Sequence, residues 1–323
     1  MQSKSFVRGA LLTALIFSVH VAVGANTNTN NFNFSGPEIF PIDQQIGLLH
    51  VADMDGDGLN DLVVANNLRA KINILYNLTG KTNLPARPLR LMEINDLPPG
   101  SRFRIDSIPA DERISDMVVT DLNGDGRPDI AYYGDAKDLI VLYNQGTNGW
   151  SEPKRWHVDD GQMNPNTLTA GDLNGDGRTD LVLLGDNGSA YFWAQGADHT
   201  LAEPVKIPYS GTPKSVQIQD VNGDGKSDLL FVDWDSPTPF RFRLQNAAGE
   251  LGPEIFFKYP PIRSFLSSNL GGGSNNYIVT IAQASGRAEV SLFESKPAEV
   301  LSGALRQGQF QVLPLKKTDA AQR

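Results

Sequence analysis

The chain has 323 residues and a formal net charge of −9, with 40% hydrophobic and 20% charged residues, as in an ordinary globular protein. The negative charge argues against a nucleic-acid or anionic-membrane surface as a partner. There is no cysteine, which excludes disulfides, thiolate metal sites and cysteine nucleophiles.

The N-terminus has the pattern of a signal peptide. Lys4 and Arg8 precede the apolar run "ALLTALIFSVHVAV", and "VGA" before Asn26 offers small residues for cleavage. The run is short for a membrane span. We therefore predict a signal peptide over residues 1–25, a polar linker over 26–33, and a secreted or periplasmic mature chain that does not insert into a membrane.

The rest of the chain repeats one pattern of short apolar segments bounded by turn residues, which predicts β-strands. The first strands of four units read "GLLHVA", "SDMVVT", "NTLTAG" and "SVQIQ", and the second strands read "LVVAN", "IAYYG", "LVLLG" and "LLFVD". The third strands read "KINILYN", "DLIVLYN", "AYFWAQ" and "FRFRLQN", and the outer strands read "RPLRLMEI", "EPKRWHV", "EPVKIP" and "GPEIFFKYP". A fifth unit reads "IRSFL", "NYIVTIA", "RAEVSLFE" and "QFQVLPL".

Four strands in a unit of about 50 residues are typical of one blade of a β-propeller. We therefore predict an all-β fold, a β-propeller of about five four-stranded antiparallel blades over residues 34–316, followed by a tail over 317–323. The stretch "FSGPEIFPI" near the N-terminus resembles the outer strand "LGPEIFF" of the fourth unit. Two arrangements stay open: five blades that close with a spare strand, or an incomplete ring of six or seven blades.

Each of the first four units carries a nine-residue acidic string between its first and second strands. We call these strings loops 1 to 4, with positions 1 to 9: "DMDGDGLND" (53–61), "DLNGDGRPD" (121–129), "DLNGDGRTD" (172–180) and "DVNGDGKSD" (220–228). They hold 13 of the 37 acidic residues. That many carboxylates would repel one another without a cation.

The residue types fit calcium. Carboxylates or amides at positions 1, 3, 5 and 9 are the hard oxygen ligands that Ca²⁺ takes, and glycine at positions 4 and 6 allows the tight turn. Position 7 varies, as expected if only its backbone carbonyl binds. We predict up to four Ca²⁺ ions, held by Asp53, Asp55, Asp57, Leu59 and Asp61; Asp121, Asn123, Asp125, Arg127 and Asp129; Asp172, Asn174, Asp176, Arg178 and Asp180; and Asp220, Asn222, Asp224, Lys226 and Asp228.

An EF-hand or dockerin-type loop matches only the first six positions. Its bidentate acid belongs at position 12, where this chain has Val64, Tyr132, Leu183 and Phe231. The fifth unit has "SNLGGGSNN" at the corresponding place, which aligns Ser268, Leu270, Gly272 and Asn276 with the ligand positions. We therefore predict that this loop, Ser268–Asn276, binds no metal.

A strand, "DxNGDGxxD" and a second strand at blade spacing resemble the FG-GAP/VCBS repeat proteins, which are calcium-binding propellers related to the integrin α-subunit head. The resemblance covers residues 32–316. It implies Ca²⁺ bound by the side chains at positions 1, 3, 5 and 9, and it does not imply an enzyme.

The predicted function is a secreted calcium-binding propeller that acts as a non-catalytic protein- or glycan-interaction module. The expected binding face lies opposite the acidic loops, with contacts from Asp233, Trp234, Asp235, Arg102, Phe103 and Arg104. The alternative is the propeller domain of a glycan-active enzyme such as a polysaccharide lyase. No catalytic constellation is identified, because His50, His157 and His199 lie in a strand, an outer strand and a turn.

Overall fold

The computed structural model describes residues 40, 42–81, 97, 101–268, 277–284, 287–295 and 310–314. In this part of the chain the regular elements are twenty β-strands and one short 3₁₀ turn, Gly146–Asn148. The strands form five four-stranded antiparallel sheets, all within the unit Pro41–Arg323. The prediction of an all-β fold built from propeller-type blades is confirmed.

The sheets follow one another along the chain, each with its strands in sequential order. Sheet 1 consists of β1 (Ile46–Ala52), β2 (Asp61–Asn66), β3 (Lys71–Asn77) and β4 (Phe103–Pro109). Sheet 2 consists of β5 (Ile114–Thr120), β6 (Asp129–Gly134), β7 (Asp138–Leu142) and β8 (Lys154–His157). Sheet 3 consists of β9 (Leu168–Gly171), β10 (Asp180–Leu184), β11 (Ser189–Trp193) and β12 (Val205–Pro208). Sheet 4 consists of β13 (Ser215–Gln219), β14 (Asp228–Val232), β15 (Phe240–Arg243) and β16 (Ile255–Phe256). Sheet 5 consists of β17 (Ile262–Ser268), β18 (Tyr277–Ala284), β19 (Arg287–Ser295) and β20 (Phe310–Pro314).

Consecutive sheets pack face to face, so the second strand of an inner sheet is buried on both sides. In β14, Leu229 and Phe231 pack toward sheet 3, whereas Leu230 and Val232 pack toward sheet 5. Side chains alternate between the two faces of a strand. A continuous apolar run such as "LLFV" is therefore explained by two apolar neighbours, and each buried side chain contributes about 1.5–3 kcal/mol.

The first strands of sheets 1 to 4 lie beside one another in the order β1, β5, β9, β13. This places the four acidic loops, which connect first to second strands, at one end of the sheets. The turns between second and third strands lie at the other end.

The first strand of sheet 1 differs in burial from the equivalent strands. Leu49 is 62% exposed and Val51 is 58% exposed. Leu49 stands three residues before the end of its strand. The residues at the same place in the first strands of sheets 2 to 4 are Met117, Leu168 and Val216, whose exposed fractions are 1%, 4% and 1%. Those three residues pack against the preceding sheet. The corresponding face of β1 is open at these two side chains.

One strand prediction and one loop alignment need correction. The outer strand of sheet 1 is Phe103–Pro109, not "RPLRLMEI", which lies outside the described residues. Phe103–Pro109 was not predicted as a strand, because charged residues alternate with Phe103, Ile105 and Ser107. The register Ser268↔Tyr277 also shows that Ser268 corresponds to Ala52, which pairs with Asp61. The fifth loop is therefore shifted by one residue, and residues 269–276 lie outside the described part.

No helix in the described residues is long and apolar enough to cross a membrane.

Candidate metal centre

Each acidic loop closes a hairpin between two strands paired in register. Position 9 begins the second strand and pairs with the residue just before position 1, as Asp129 pairs with Thr120. The glycines at positions 4 and 6 adopt positive φ in all four loops, for example +72° at Gly124 and +83° at Gly126. Residues other than glycine rarely adopt a positive φ, so the spacing of the two glycines fixes the course of the loop.

The aspartate at position 1 organises the loop backbone. In loop 1, Asp53 Oδ1 accepts hydrogen bonds from the N–H groups of Gly56 and Asp57 at 2.8 and 3.0 Å, and its Oδ2 accepts one from Gly58 at 2.8 Å. The first aspartates of the other loops accept the same position-4 and position-6 N–H groups. Several backbone N–H groups of the loop therefore converge on one carboxylate. These hydrogen bonds hold the loop in place between its two paired strands.

The aspartate at position 9 is fully buried in every loop. In loop 2, Asp129 Oδ2 accepts the N–H of Leu122 at 2.8 Å, and Oδ1 accepts the N–H of Asn144 at 2.7 Å. The other loops repeat this pair of bonds on Asp61, Asp180 and Asp228. The carboxylate thus joins the start of its loop to the end of the third strand.

Burial raises the pKa of these position-9 carboxyl groups. The pKa is raised to about 6 for Asp129 and Asp180 and to about 7 for Asp228, with the other acids of the same loop adding to the rise and the backbone N–H groups opposing it. The pKa of Asp61 is also raised, chiefly by burial. A cation beside these groups would favour their ionised form.

Loop 1 brings three carboxylates together. One oxygen from each of Asp53, Asp55 and Asp61 lies within 4.8 Å of the others. Calcium–oxygen distances are about 2.3–2.6 Å, so two ligands of one ion lie up to about 5 Å apart. This donor set fits a hard divalent cation. The remaining predicted ligands stay predictions.

Position 7 does more than the sequence predicted, because its side chain is also engaged. Arg127 and Arg178 pair with the position-5 aspartates Asp125 and Asp176, and Lys226 pairs with Asp224 at 3.2 Å. Arg127 Nε also donates to the carbonyl of Asn144 at 2.9 Å. Loops 2 to 4 therefore each contain a positively charged side chain that pairs with the position-5 aspartate.

In loop 1, position 7 is Leu59, and the cation comes from outside the loop. Lys81 Nζ lies 3.4 Å from Asp55 Oδ2 and also contacts Asp57. Lys81 was not predicted from the sequence, because it stands 20 residues beyond the loop. Nor was the amide residue that lies at the end of the third strand, or two residues beyond it, in sheets 1 to 4: Asn77, Asn144, Gln195 and Gln245. Their shared amide chemistry at one repeat position was the available signal.

The turn after the third strand of each following sheet lies against an acidic loop. An added Cβ on Gly249 of sheet 4 would lie 1.8 Å from the carbonyl oxygen of Asn174 in loop 3. An added Cβ on Gly124 of loop 2 would lie 2.9 Å from His199 Nδ1 of sheet 3. The acidic loops are therefore part of the contact between neighbouring sheets.

The residues predicted as partner contacts are placed differently from expectation. Trp234 is half-buried, and its ring lies 5.6 Å from that of Phe265 between sheets 4 and 5. Asp233 accepts a hydrogen bond from Thr212, and Asp235 lies 3.4 Å from Arg263. Trp234 therefore contributes to packing rather than forming a free aromatic contact.

Arg102, Phe103 and Arg104 lie at the beginning of β4, where Phe103 pairs with Asn77 at the acidic-loop end of sheet 1. Arg104 stacks over the ring of Tyr76 at 4.3 Å. The prediction that these residues lie on the face opposite the acidic loops is wrong, because they lie at the loop end of sheet 1.

The three histidines of the described chain lie in three different environments. Burial lowers the pKa of His50 in β1. His157 in β8 is exposed and contacts Asp138 at 2.8 Å and Asp159 at 3.2 Å, and these contacts raise its pKa. His199 lies against loop 2 with a φ of +63°.

Comparison with known protein families finds the FG-GAP-like repeat over residues 121–183 and again over residues 172–231. The two matched spans begin at position 1 of loops 2 and 3. Residues 121–231 therefore match FG-GAP-like repeats, and the resemblance found in the sequence is confirmed over these residues.

Among curated proteins, none matches the chain. Among solved structures, the lead-soaked and the mercury-soaked crystals of BBS1N in complex with ARL6DN align with 86% of this chain and 71% of theirs. Both have a TM-score of 0.49, with sequence identities of 13% and 12%. The blade-type architecture of this chain rests on its own sheet topology.

Proposed function

We propose that this protein is an exported, calcium-binding interaction module without a catalytic role. The observation that carries the proposal is the convergence of Asp53, Asp55 and Asp61 in loop 1. The backbone hydrogen bonds of this loop recur in loops 2 to 4. FG-GAP-like repeats over residues 121–231 support the same function.

Calcium suits the donor set better than other cations. The candidate ligands are carboxylate, amide and backbone oxygens, which hard cations prefer, and cysteine is absent from the chain. A carboxylate has about four lone-pair positions, so Asp61 and its equivalents can accept two backbone N–H groups and still face a cation. Six to eight oxygens in irregular geometry favour Ca²⁺ over the strictly octahedral Mg²⁺.

We assign the ligands of each ion to the side chains at positions 1, 3, 5 and 9 and the backbone carbonyl at position 7. A bound ion would neutralise the carboxylates that each folded loop collects. Asp53 and its equivalents already fix the loop backbone, so little ordering remains when the ion binds. In loops 2 to 4, the position-7 side chain must release the position-5 carboxylate.

We place the partner surface on the end of the sheets opposite the loops. There, Asp160 accepts hydrogen bonds from Tyr191 and Asn187, and Lys206 Nζ lies 4.8 Å from the Tyr191 ring. Half-buried aromatic rings flanked by acids, amides and amines suit protein or glycan recognition. Export rests on the leader pattern of the first 25 residues.

Calcium removal tests the proposal. Sites of about 10⁻⁴–10⁻³ M affinity contribute about 1 kcal/mol each in millimolar calcium, so four contribute about 4 kcal/mol. We expect EGTA to lower the melting temperature of the mature protein by more than 5 °C, and calorimetry to detect calcium binding. Asp125→Ala should remove about a quarter of the calcium-dependent shift.

The matched control is Asp106→Ala, which removes an exposed carboxylate of β4 that lies outside the loops. It should leave the calcium-dependent shift unchanged. An unchanged melting temperature in EGTA, together with no calorimetric signal for calcium, would show that the loops are simple hairpin turns. Binding of labelled protein to a glycan array, with and without Asp160→Ala, separates glycan recognition from protein recognition.

A further inference from the structure

One residue per sheet connects two successive acidic loops. We call Asn144, Gln195 and Gln245 the bridging residues; each lies two residues beyond the end of the third strand of sheet 2, 3 or 4. The backbone N–H of each donates to the position-9 carboxylate of its own loop, at 2.7–2.9 Å. The side chain of each points toward the loop of the preceding sheet.

Between loops 2 and 1 the connection is an unbroken series of hydrogen bonds. Asn144 donates its backbone N–H to Asp129 of loop 2 at 2.7 Å and its Nδ2 to the carbonyl of Met54 in loop 1 at 2.9 Å. The N–H of Met54 then donates to Asp61 Oδ2 at 2.9 Å. The two position-9 carboxylates are therefore joined through two residues, both of them buried.

Between loops 4 and 3 the same device recurs with a longer side chain. Gln245 donates its backbone N–H to Asp228 at 2.9 Å and its Nε2 to the carbonyl of Asp172 in loop 3 at 3.3 Å. In sheet 1 the equivalent Asn77 donates its Nδ2 to Asn60 of its own loop at 3.1 Å. Asn77 therefore bonds within its own loop, whereas Asn144 and Gln245 bond to the loop of the preceding sheet.

Between loops 3 and 2 the bridge is incomplete. Gln195 is buried and lies close to Gly124 of loop 2. Within the described part of the chain, both atoms of its side-chain amide are without a hydrogen-bond partner. The described residues therefore include two bonded bridges and one unbonded bridge of the same kind.

We propose that the loops bind calcium in coupled pairs, loop 1 with loop 2 and loop 3 with loop 4, with Asn144 and Gln245 as the positioning residues that couple them. The inference rests on the proposed calcium binding. An ion in loop 2 holds Asp129, which holds Asn144 and through it the Met54 end of loop 1. Because coupling is reciprocal, loop 1 affects loop 2 by the same factor.

The test uses the mature chain with Asp176→Ala and Asp224→Ala, which leaves loops 1 and 2 intact. We expect calcium titration by calorimetry to give two ions with a Hill coefficient above 1. Disabling loop 2 as well, with Asp125→Ala, should weaken loop 1 by about 2- to 10-fold, the range expected for one buried hydrogen bond. An unchanged loop 1 affinity and a Hill coefficient of 1 would overturn the coupling.

Asn144→Ala in the same two-loop protein should reduce the Hill coefficient to 1, and Asn144→Gln should restore it. A purely structural role would weaken binding without changing the Hill coefficient. If circular dichroism shows that Asn144→Ala does not fold, the Asp125→Ala comparison decides by itself.

The control is the unbonded bridge. In a protein with only loops 2 and 3 intact, Gln195→Ala should leave the titration unchanged, and a drop in Hill coefficient there would contradict the assignment to bonded bridges. A wild-type protein that binds no calcium at all would refute the proposed function. Independent binding by four sites would refute the coupling alone.

Discussion

Sheet 1 and sheets 2 to 4 follow the same plan and differ in what surrounds it. All four have a position-1 aspartate holding the loop backbone and a buried position-9 aspartate holding two N–H groups. Loop 1 has aspartate at position 3 and leucine at position 7, and it takes its cation from Lys81. Loops 2 to 4 have asparagine at position 3 and their own cation at position 7.

The comparison separates two roles that the sequence motif combines. The residues that fix the backbone are common to all four loops: the first aspartate, the two glycines and the last aspartate. The position-5 aspartate is also common, and the local charge varies through positions 3 and 7. We infer that the motif is first a hairpin-forming unit, onto which charge, and with it cation affinity, is adjusted loop by loop.

The largest expected effect follows from removing a backbone-fixing residue. Asp180→Ala leaves the buried N–H groups of Leu173 and Gln195 without an acceptor. We expect a loss of about 3 kcal/mol in the free energy of unfolding, measured by denaturant titration in EGTA. Asp176→Ala, at position 5 of the same loop, should cost only about 1 kcal/mol in EGTA, because it loses the partly exposed pair with Arg178 and an exposed hydrogen bond from the Arg178 N–H, which water can replace. Equal losses for the two variants would remove the distinction between fixing and charge-setting residues.

The second effect contrasts the open face of β1 with its buried equivalents. Met117→Ala should lower the free energy of unfolding by about 2–4 kcal/mol, because it leaves a cavity between sheets 1 and 2. Leu49→Ala, at the same distance from the end of its strand, should cost less than about 0.5 kcal/mol. Denaturant titration of both variants in calcium gives the comparison. A large loss for Leu49→Ala would mean that this face is covered in solution.

Much of this plan could be predicted from the sequence, because its elements are local. The period-2 and continuous apolar runs predicted the strands, and the glycine spacing predicted the turns. The outer strand of sheet 1 was missed because Phe103–Pro109 mixes charged and apolar residues and is separated from β3 by 25 residues.

The bridging residues and Lys81 were missed for a different reason. The side chains of Asn144 and Gln245 contact residues 90 and 73 positions away, and only the packing of one sheet against the next brings them together. Lys81 lies 24 and 26 positions from its partners Asp57 and Asp55, in the connection that follows β3 of the same sheet. The position-7 arginines were assigned to a backbone role, since a side chain that pairs with a carboxylate two residues away cannot be distinguished by sequence from one that points to solvent.

The third effect concerns the turns at the opposite end of sheets 1 and 2. The turn after β2 is capped by a neutral amide, Asn66 Oδ1, which accepts the N–H of Arg69 at 3.2 Å. The turn after β6 is capped by Glu112, a buried acid whose Oε2 accepts the N–H of Ala136 at 2.5 Å. Burial, with smaller contributions from Asp138 and Asp135, raises the pKa of Glu112 to about 7, and the hydrogen bond from Ala136 and the charge of Arg155 oppose the rise.

Because this pKa lies above the ordinary value of 4.5, the folded protein holds a proton that the unfolded chain has lost between those two pH values. The free energy of unfolding should therefore fall as the pH rises through 7. Glu112→Gln keeps an acceptor for Ala136 and removes the charge, so its stability should exceed the wild type by about 1 kcal/mol at pH 8 and lose this part of the pH dependence. Glu152→Gln, at an exposed position, is the control. A wild-type protein that is equally stable at pH 6 and pH 8 in metal-free buffer would contradict this account.

The smallest expected effect turns loop 2 into a copy of loop 1 at position 7. Arg127→Leu removes the cation that occupies Asp125 and leaves Asp121, Asn123 and Asp129 untouched. A partly exposed ion pair contributes at most about 1 kcal/mol, so its loss should raise the calcium affinity of loop 2 by up to about fivefold and lower metal-free stability by a similar free energy. Leu59→Arg in loop 1 should do the reverse. Calcium titration of proteins in which the other three loops carry a position-5 alanine gives both affinities. If Arg127→Leu weakens binding, the arginine supports the metal loop rather than competing with the ion, since its Nε bond to the carbonyl of Asn144 would then be the dominant contact.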